Sequence, residues 1–292
     1  MSTRTKARIG ITLGDPAGIG PEIIEAALRS GRLRDGEFIV IGDRSAAAPG
    51  NPTRQSAQAA FDALEEAITR TRRDELDGVV TGPIHKARMY EIGFQFPGQT
   101  EFFAERCGVR NFAMCLTGGN LTVALVTTHI SLAEVPRALR TDEIVRVGLL
   151  LRDFLIRRGK NPPRIAIAGL NPHAGESGAL GREEIEIIAP AVERLSTLNP
   201  QCRTHFSAPQ SPDTVFHRAA NGEFDAVLCM YHDQGLIPLK LHAFDSGVNV
   251  TLGLPFPRTS PDHGTAFDIA GKGIARADSM IAAINLAIEL AS

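Results

Sequence analysis

The chain has 292 residues, 43% of them hydrophobic and 22% charged, with 31 Lys and Arg against 33 Asp and Glu for a formal net charge of -2. That length fits one large or two ordinary domains with ample material for a core. The near-neutral balance leaves no basic footprint for nucleic acid and no polybasic membrane patch, and no Trp and only two Tyr leave little for bases to stack on.

The opening residues MSTRTKARIGITLGDPAGIG hold no apolar stretch of signal-peptide length. Arg8 to Leu13 reads as a first strand. Gly14-Asp15-Pro16-Ala17-Gly18-Ile19-Gly20-Pro21-Glu22 then reads as a glycine-rich turn into a helix, with Pro21 suited to the first helical turn. GDPAGIG is neither GxGxxG nor a Walker sequence, so it is either a phosphate cradle or a tight strand–helix connection, with Asp15 able to cap the helix. Glu37 to Ile41 is a second strand, followed by the low-complexity loop Ala46 to Thr53. Gln55 to Arg73 has apolar residues at helical spacing. Gly78 to Thr81 is a strand ending in polar residues, Thr81-Gly82-Pro83-Ile84-His85-Lys86.

Gln99 and Thr100 stand before a short helix ending at Gly108, where Thr100 is either a simple N-cap or part of an anion site. Asn111 to Leu116 and Leu121 to Thr127 form an expected hairpin around Thr117-Gly118-Gly119-Asn120. A helix from Thr141 to Arg158, a strand from Pro163 to Ala168 and a helix from Gly181 to Leu195, kinked or divided at Pro190, come next. A Pro-rich loop around Ser207 to Pro212 leads through Asp213 into a helix from Thr214. Ala226 to Met230 is an apolar run suited to a buried strand, and it delivers Tyr231-His232-Asp233-Gln234-Gly235. The alternation predicts an α/β fold with mainly parallel sheets. No run reaches the ~20 apolar residues of a membrane span. Cys107, Cys115, Cys202 and Cys229 lack CxxC spacing, which suits a reducing compartment, so a soluble, cytoplasmic protein is expected.

His129, His173 and His232 each follow an apolar strand. Singly, each is accounted for as a capping or hydrogen-bonding residue. Together they are a divalent-metal set with an open position, suited to polarising an alcohol or carbonyl oxygen. His85 and His263 remain possible site members, while His205, His217 and His242 read as surface or loop residues. Gln99, Thr100, Lys240, Asn249 and Arg258 are a second group, suited to phosphate or carboxylate, against the plain alternative of surface solvation. The run from Asp262 to Gly273 carries glycines that let backbone approach a ligand, or simply cap and turn.

The segments GDPAGIGPE, TGPIHK, PGQTEFF, TTHISL, LNPHAGE, YHDQGLIPLK, GVNVTLGLPFPRTS and DHGTAFDIAGKG, from Gly14 to Gly273, together resemble the 4-hydroxythreonine-4-phosphate dehydrogenase family. The last also resembles the cofactor loop of isopropylmalate dehydrogenases. The resemblance implies two α/β domains with a cleft between them, residues 1–115 with 255–292 carrying the cofactor loop and residues 116–254 carrying the histidines and a dimer interface. It implies a homodimer with shared active sites, and a metal (Zn, Mg, Mn or Co) on His129, His173 and His232. It implies substrate-anion contacts from Thr100, Lys240, Asn249 and Arg258, with Gln99 in the same group. It assigns NAD or NADP to His263, Gly264, Thr265, Asp268 and Gly271. The reaction expected is oxidation of a secondary alcohol with loss of CO2, with Lys240 in the catalytic set and Asp213 and Asp233 either orienting a metal-bound histidine or relaying a proton, Asp213 being alternatively no more than a helix cap. Two departures stand out. The family's PGHTE is PGQTE here, so Gln99 replaces a histidine and cannot carry positive charge toward a phosphate. The segment between Asp43 and Thr53 is also shorter than the family pattern. A cis-dihydrodiol dehydrogenase of an aromatic carboxylate and a non-catalytic binding protein of the same fold are the rival readings.

Overall fold

A computed structural model of the chain describes residues 6–198 and 203–292; the first five residues of the N-terminal stretch and Cys202 lie outside them. The backbone divides into two units, one formed by residues up to Arg110 together with Asp245–Ser292, the other by Asn111–Phe244.

The first unit begins with β1 (Arg8–Thr12), α1 (Gly20–Arg29), β2 (Glu37–Ile41), α2 (Arg54–Arg72), β3 (Gly78–Thr81), α3 (Lys86–Glu91) and α4 (Gln99–Arg106). Thr53 starts α2 through a reciprocal cap, its Oγ1 accepting from Ser56 N at 3.1 Å while its own N donates to Ser56 Oγ at 3.0 Å. The second unit holds β4 (Ala113–Gly118), β5 (Leu121–Leu125), α5 (Val135–Ala138), α6 (Thr141–Arg157), β6 (Arg164–Ala168), α7 (Ala189–Thr197), β7 (His205–Gln210), α8 (Val215–Ala220), β8 (Ala226–Cys229) and α9 (His232–Ala243). The chain then returns to the first unit with β9 (Val248–Leu252), β10 (Arg258–Pro261) and α10 (Asp278–Ala291).

In the first unit the strand order is β2-β1-β3-β10-β9, parallel except for the β10–β9 pair. Ile9, Ile11, Val79 and Val80 are wholly buried, as strands covered on both faces require. The carboxyl ends of β1 and β3 lie in register, Thr12 beside Thr81. In the second unit the order is β4-β5-β8-β6-β7, parallel except for the hairpin. Leu236 and Leu239 of α9 pack with Val123, Val227 and Cys229 in one cluster, each leucine contributing about 2 kcal/mol.

Several expectations need correction. The hairpin turn is Gly119-Asn120 alone, because Thr117 and Gly118 still pair with Thr122 and Leu121. Ser207 to Gln210 is strand, not loop: β7 is the last strand in its order, where Pro209 removes no needed ladder bond, and the register slips between Ile165 and Ile167 opposite it. The 181–195 segment, expected to be kinked or divided at Pro190, is divided just before it. A π-helical turn at Glu184–Ile188 precedes α7, and Pro190 sits in the first turn of α7. α9 runs through Pro238, the residue that hid this helix from the sequence pattern. No described helix is long and apolar enough to cross a membrane.

Candidate active site

In the second unit two of the three histidines stand together. The end of β5 is tied to the end of β8: Val126 N donates to Cys229 O at 2.9 Å and Thr127 Oγ1 to Met230 O at 2.7 Å. The tie places the His129 and His232 rings 5.6 Å apart between centroids. His232 Nδ1 lies 2.7 Å from Asp233 Oδ1. A carboxylate only accepts, so Nδ1 carries the proton, which in the neutral ring leaves the Nε2 lone pair that a metal ligand needs. Tyr231 just before it is held protonated above its ordinary range by burial and by Asp233.

His173 follows β6 on a loop held by groups that the sequence reading did not single out. Glu184, 4% exposed, accepts from Leu170 N at 2.8 Å, Asn171 N at 2.7 Å and Asn171 Nδ2 at 2.9 Å. Buried Gln234 of α9 donates to Gly169 O at 2.6 Å and accepts from Met230 N at 2.7 Å, joining the ends of β6 and β8. Residues 173–177 run in the left-handed region, with φ 53° at His173, 53° at Ala174, 44° at Glu176 and 57° at Ser177. Each such non-glycine residue costs about 1–2 kcal/mol. Gly175 is the position that must be glycine, since a Cβ there would come 2.7 Å from Glu184 Oε2. His173 is exposed, with Nδ1 3.1 Å from Glu176 Oε2. Among the described residues no three His, Cys, Asp or Glu side chains stand close enough together to hold a metal. The His129–His232 pair offers two imidazole donors of the kind a divalent ion takes, and His173 does not complete a three-ligand group with them. Asp213 is exposed; the Ser211 hydroxyl, 2.6 Å away, holds its carboxyl below the usual range, with a smaller contribution from nearby His173. It does not cap α8, whose N-cap is Thr214. Lys240 is half-buried on α9.

In the first unit the anion group is built around Arg258, which is 2% exposed; surface solvation does not describe it. Nη2 donates to Thr81 Oγ1 at 2.5 Å and Gln99 Oε1 at 3.0 Å, and Nη1 to Thr251 Oγ1 at 3.3 Å. The guanidinium also lies 5.6 Å from the Phe103 ring centre. All three partners are neutral. Burial pushes the guanidinium down to about 10, countered only in part by the charge of Glu101. Thr100 does not cap α4, whose N-cap is Gly98; its Oγ1 lies 3.2 Å from Thr251 Oγ1. Asn249 Oδ1 and Arg258 Nε are buried without partners.

The glycine-rich turn is a tight connection rather than a phosphate cradle, because its main-chain donors are engaged: Asp15 N with Pro83 O, Gly18 N with Asp15 O and Ile19 N with Thr265 O, each at 2.9 Å. Asp15 does not cap α1, which starts at Gly20; its Oδ1 accepts from Ala17 N. The 262–273 loop rests on this turn through Thr265 and through Gly271 N, which donates to Glu22 Oε2 at 3.1 Å. Gly264 and Asp268 are exposed on it, and His263 Nε2 is buried without a partner. His85 caps α3 and its ring lies 5.3 Å from that of Phe267. Of the remaining histidines, His217 hydrogen-bonds Asn221 and His242 hydrogen-bonds Asn120.

A mainly parallel α/β fold in two units, with paired imidazoles at strand ends of one and, in the other, a buried guanidinium hydrogen-bonded only to neutral groups, is the make-up of an enzyme acting on a small molecule. The sequence model of a family described as pyridoxal phosphate biosynthetic protein PdxA matches residues 22–287. The 4-hydroxythreonine-4-phosphate dehydrogenase of Caulobacter vibrioides is 45% identical over 332 aligned positions, covering 99% of this chain and 98% of that protein. The crystal structure of the Klebsiella pneumoniae enzyme of the same name superposes with a TM-score of 0.83 at 37% identity, covering 98% and 100% of the two chains. A terephthalate 1,2-cis-dihydrodiol dehydrogenase from Burkholderia xenovorans follows at TM-score 0.71 and 25% identity over 97% and 98%. Likeness of fold alone reaches an isocitrate dehydrogenase from Methylococcus capsulatus, TM-score 0.52 at 16% identity over 96% and 83%, which is the dehydrogenase architecture expected. The chain belongs to the PdxA family, and it is an oxidoreductase acting on a hydroxyl group.

Proposed function

We propose that the chain oxidises the secondary alcohol of 4-hydroxythreonine 4-phosphate, or of a close four-carbon acid phosphate such as threonate or erythronate 4-phosphate, to a β-keto acid that loses CO2. NAD or NADP is the oxidant and a divalent metal is required. The observation that carries this reading is Arg258, a buried cation whose hydrogen-bond partners are all neutral hydroxyl and amide groups, the charge of Glu101 offsetting its burial only in part. Such a charge is incompletely compensated until an anion arrives. The names of the relatives supply the substrate that matches it.

Arg258 takes the anionic end, aided by Thr100, Asn249 and Lys240. His129 and His232 would hold the metal, and a divalent ion bound there would supply a Lewis acid at the alcohol oxygen; His173, the third donor that the family resemblance implies, does not stand with them in this structure. An imidazole set accepts Zn, Mg, Mn or Co. The carboxylate of Asp233 fixes the ring of His232, while Asp213 and Lys240 are assigned the proton transfers. The 262–273 loop would receive the dinucleotide, with His263, Gly264, Thr265, Asp268 and Gly271 as the residues that would hold it, and the bound nicotinamide would supply the hydride acceptor.

A homodimer belongs to this reading. On α9 and its cap Ile237, Leu241 and Phe244 are 64%, 89% and 75% exposed. They share one side at helical spacing, directly after the His232 turn, and an apolar face of this kind marks an interaction surface. A second copy covering it is the occupant the reading assigns, with active sites shared between subunits. Unpaired Cys107, Cys115 and Cys229 support the cytoplasm as compartment. His232→Ala should lower metal-dependent NAD reduction at least about 100-fold with an unchanged circular dichroism spectrum. Full activity in that variant removes the metal reading.

One observation favours a second reading. Gln99 leaves Arg258 as the sole full positive charge among the groups it bonds, which suits a carboxylate as well as a phosphate. That would make the chain a cis-dihydrodiol dehydrogenase of an aromatic carboxylate. Turnover of substrates with and without the phosphate separates the two.

A further inference from the structure

We infer that Gln99 is a positioning residue for Arg258, and that it is not itself a contact for the substrate anion; this rests on the reading of Arg258 as anion receptor. Both ends of the Gln99 amide are already in use. Nε2 donates to Gly82 O at 3.1 Å and Oε1 accepts from Arg258 Nη2 at 3.0 Å. The orientation is fixed by chemistry. A guanidinium only donates and a main-chain carbonyl only accepts, so the amide fits one way round.

The anchor at the far end is rigid. Gly82 N donates to Thr12 O at 2.9 Å, and a Cβ on Gly82 would fall 2.5 Å from Leu13 O. Main chain at the joined ends of β1 and β3 thus reaches Arg258 through a single side chain. An arginine free to rotate loses rotamer entropy when it grips an anion. Gln99, with Thr81 and Thr251, removes that loss in advance while adding no charge of its own. Among the described residues no carboxylate forms an ion pair with Arg258, so the positive charge is held in place yet left for the ligand.

A double-mutant cycle tests this, with inorganic sulfate as a dianion whose charge does not change across neutral pH. Sulfate affinity is measured by calorimetry for the wild-type protein, Gln99→Met, Arg258→Lys and the double variant, each checked for folding by circular dichroism. Gln99→Met should weaken sulfate binding about 10-fold beside the native arginine. In the Arg258→Lys background the same change should cost less than 2-fold, because the clamped group is gone. Equal losses in both backgrounds would show direct contact and overturn the inference, as would no loss in either. Absence of sulfate binding by the wild-type protein would instead remove the anion-receptor reading. Should Gln99→Met fail to fold, Gln99→Asn, one methylene too short to span both partners, replaces it in the cycle.

Discussion

Replacing Arg258 by methionine should destroy anion binding while leaving the anion-free protein about as stable as before. The fall of the guanidinium from its ordinary value to about 10, at about 1.4 kcal/mol per pH unit, puts the cost of burying the charge at about 3 kcal/mol. For a base whose folded value is depressed, that cost is in full force below pH 10 and fades only as pH climbs toward the ordinary guanidinium value. Methionine removes it at pH 7.5. The change also forfeits three hydrogen bonds at about 1 kcal/mol each and the ring contact with Phe103 at about 0.5–1 kcal/mol. The terms nearly cancel, so urea unfolding of Arg258→Met should fall within about 1.5 kcal/mol of wild type, as expected when a buried charge gives way to an apolar side chain. Sulfate at a hundred times its dissociation constant should stabilise the wild type by about 2.7 kcal/mol and the variant not at all. A loss above about 3 kcal/mol without anion would make Arg258 a structural residue. Equal stabilisation of both proteins by sulfate would put the anion elsewhere.

Glu184→Ala strands the main-chain donors of Leu170 and Asn171 and should cost about 2–4 kcal/mol in urea unfolding; a loss under 1 kcal/mol would deny that this carboxylate holds the His173 loop. Leu241→Glu should weaken self-association at least about 100-fold by placing a charge in an apolar contact, and sedimentation equilibrium giving one mass for wild type and variant would refute the dimer face. Asp225 is held below the ordinary aspartate value: burial pushes it up, but hydrogen bonds from Arg164 and the charges of Arg164 and Lys160 outweigh burial. Its contribution is therefore present above pH 3.8 and lost as pH falls through the lower folded value. The stability gap between wild type and Asp225→Asn should stay constant from pH 7 to 5 and close in stronger acid; a gap unchanged at pH 2 would contradict the assignment.

The parallel strands were legible because apolar runs such as Ala226–Met230 give way to polar residues, and the same boundary marked His129 and His232. The PGQTE and LPFPRTS motifs drew attention to Gln99 and Arg258, but only their packing revealed a buried cation among neutral groups. Other parts left no sequence signal. Glu184 lies in a charged run, REEIEII, that reads as a solvated helix face, yet its carboxylate is buried against main-chain donors. Ala174, Glu176 and Ser177 are not left-handed residues by preference, so nothing in LNPHAGES announces the backbone that carries His173. β10 is fully buried although its sequence, RTSP, is polar, and Pro238 and Pro209 disguised α9 and β7.

The left-handed stretch beside His173 sets a limit on what selection for robustness can do to this molecule. Glycine at position 174 would relax the chain at once, and a screen ranking variants by heat tolerance alone would collect such changes there. Every one of them would also loosen the backbone that carries His173, the third metal donor that the family resemblance implies. Where a protein keeps alanine, glutamate and serine in a geometry that suits none of them, improvement by hardiness and improvement by turnover pull apart, and that loop is the place to expect the quarrel.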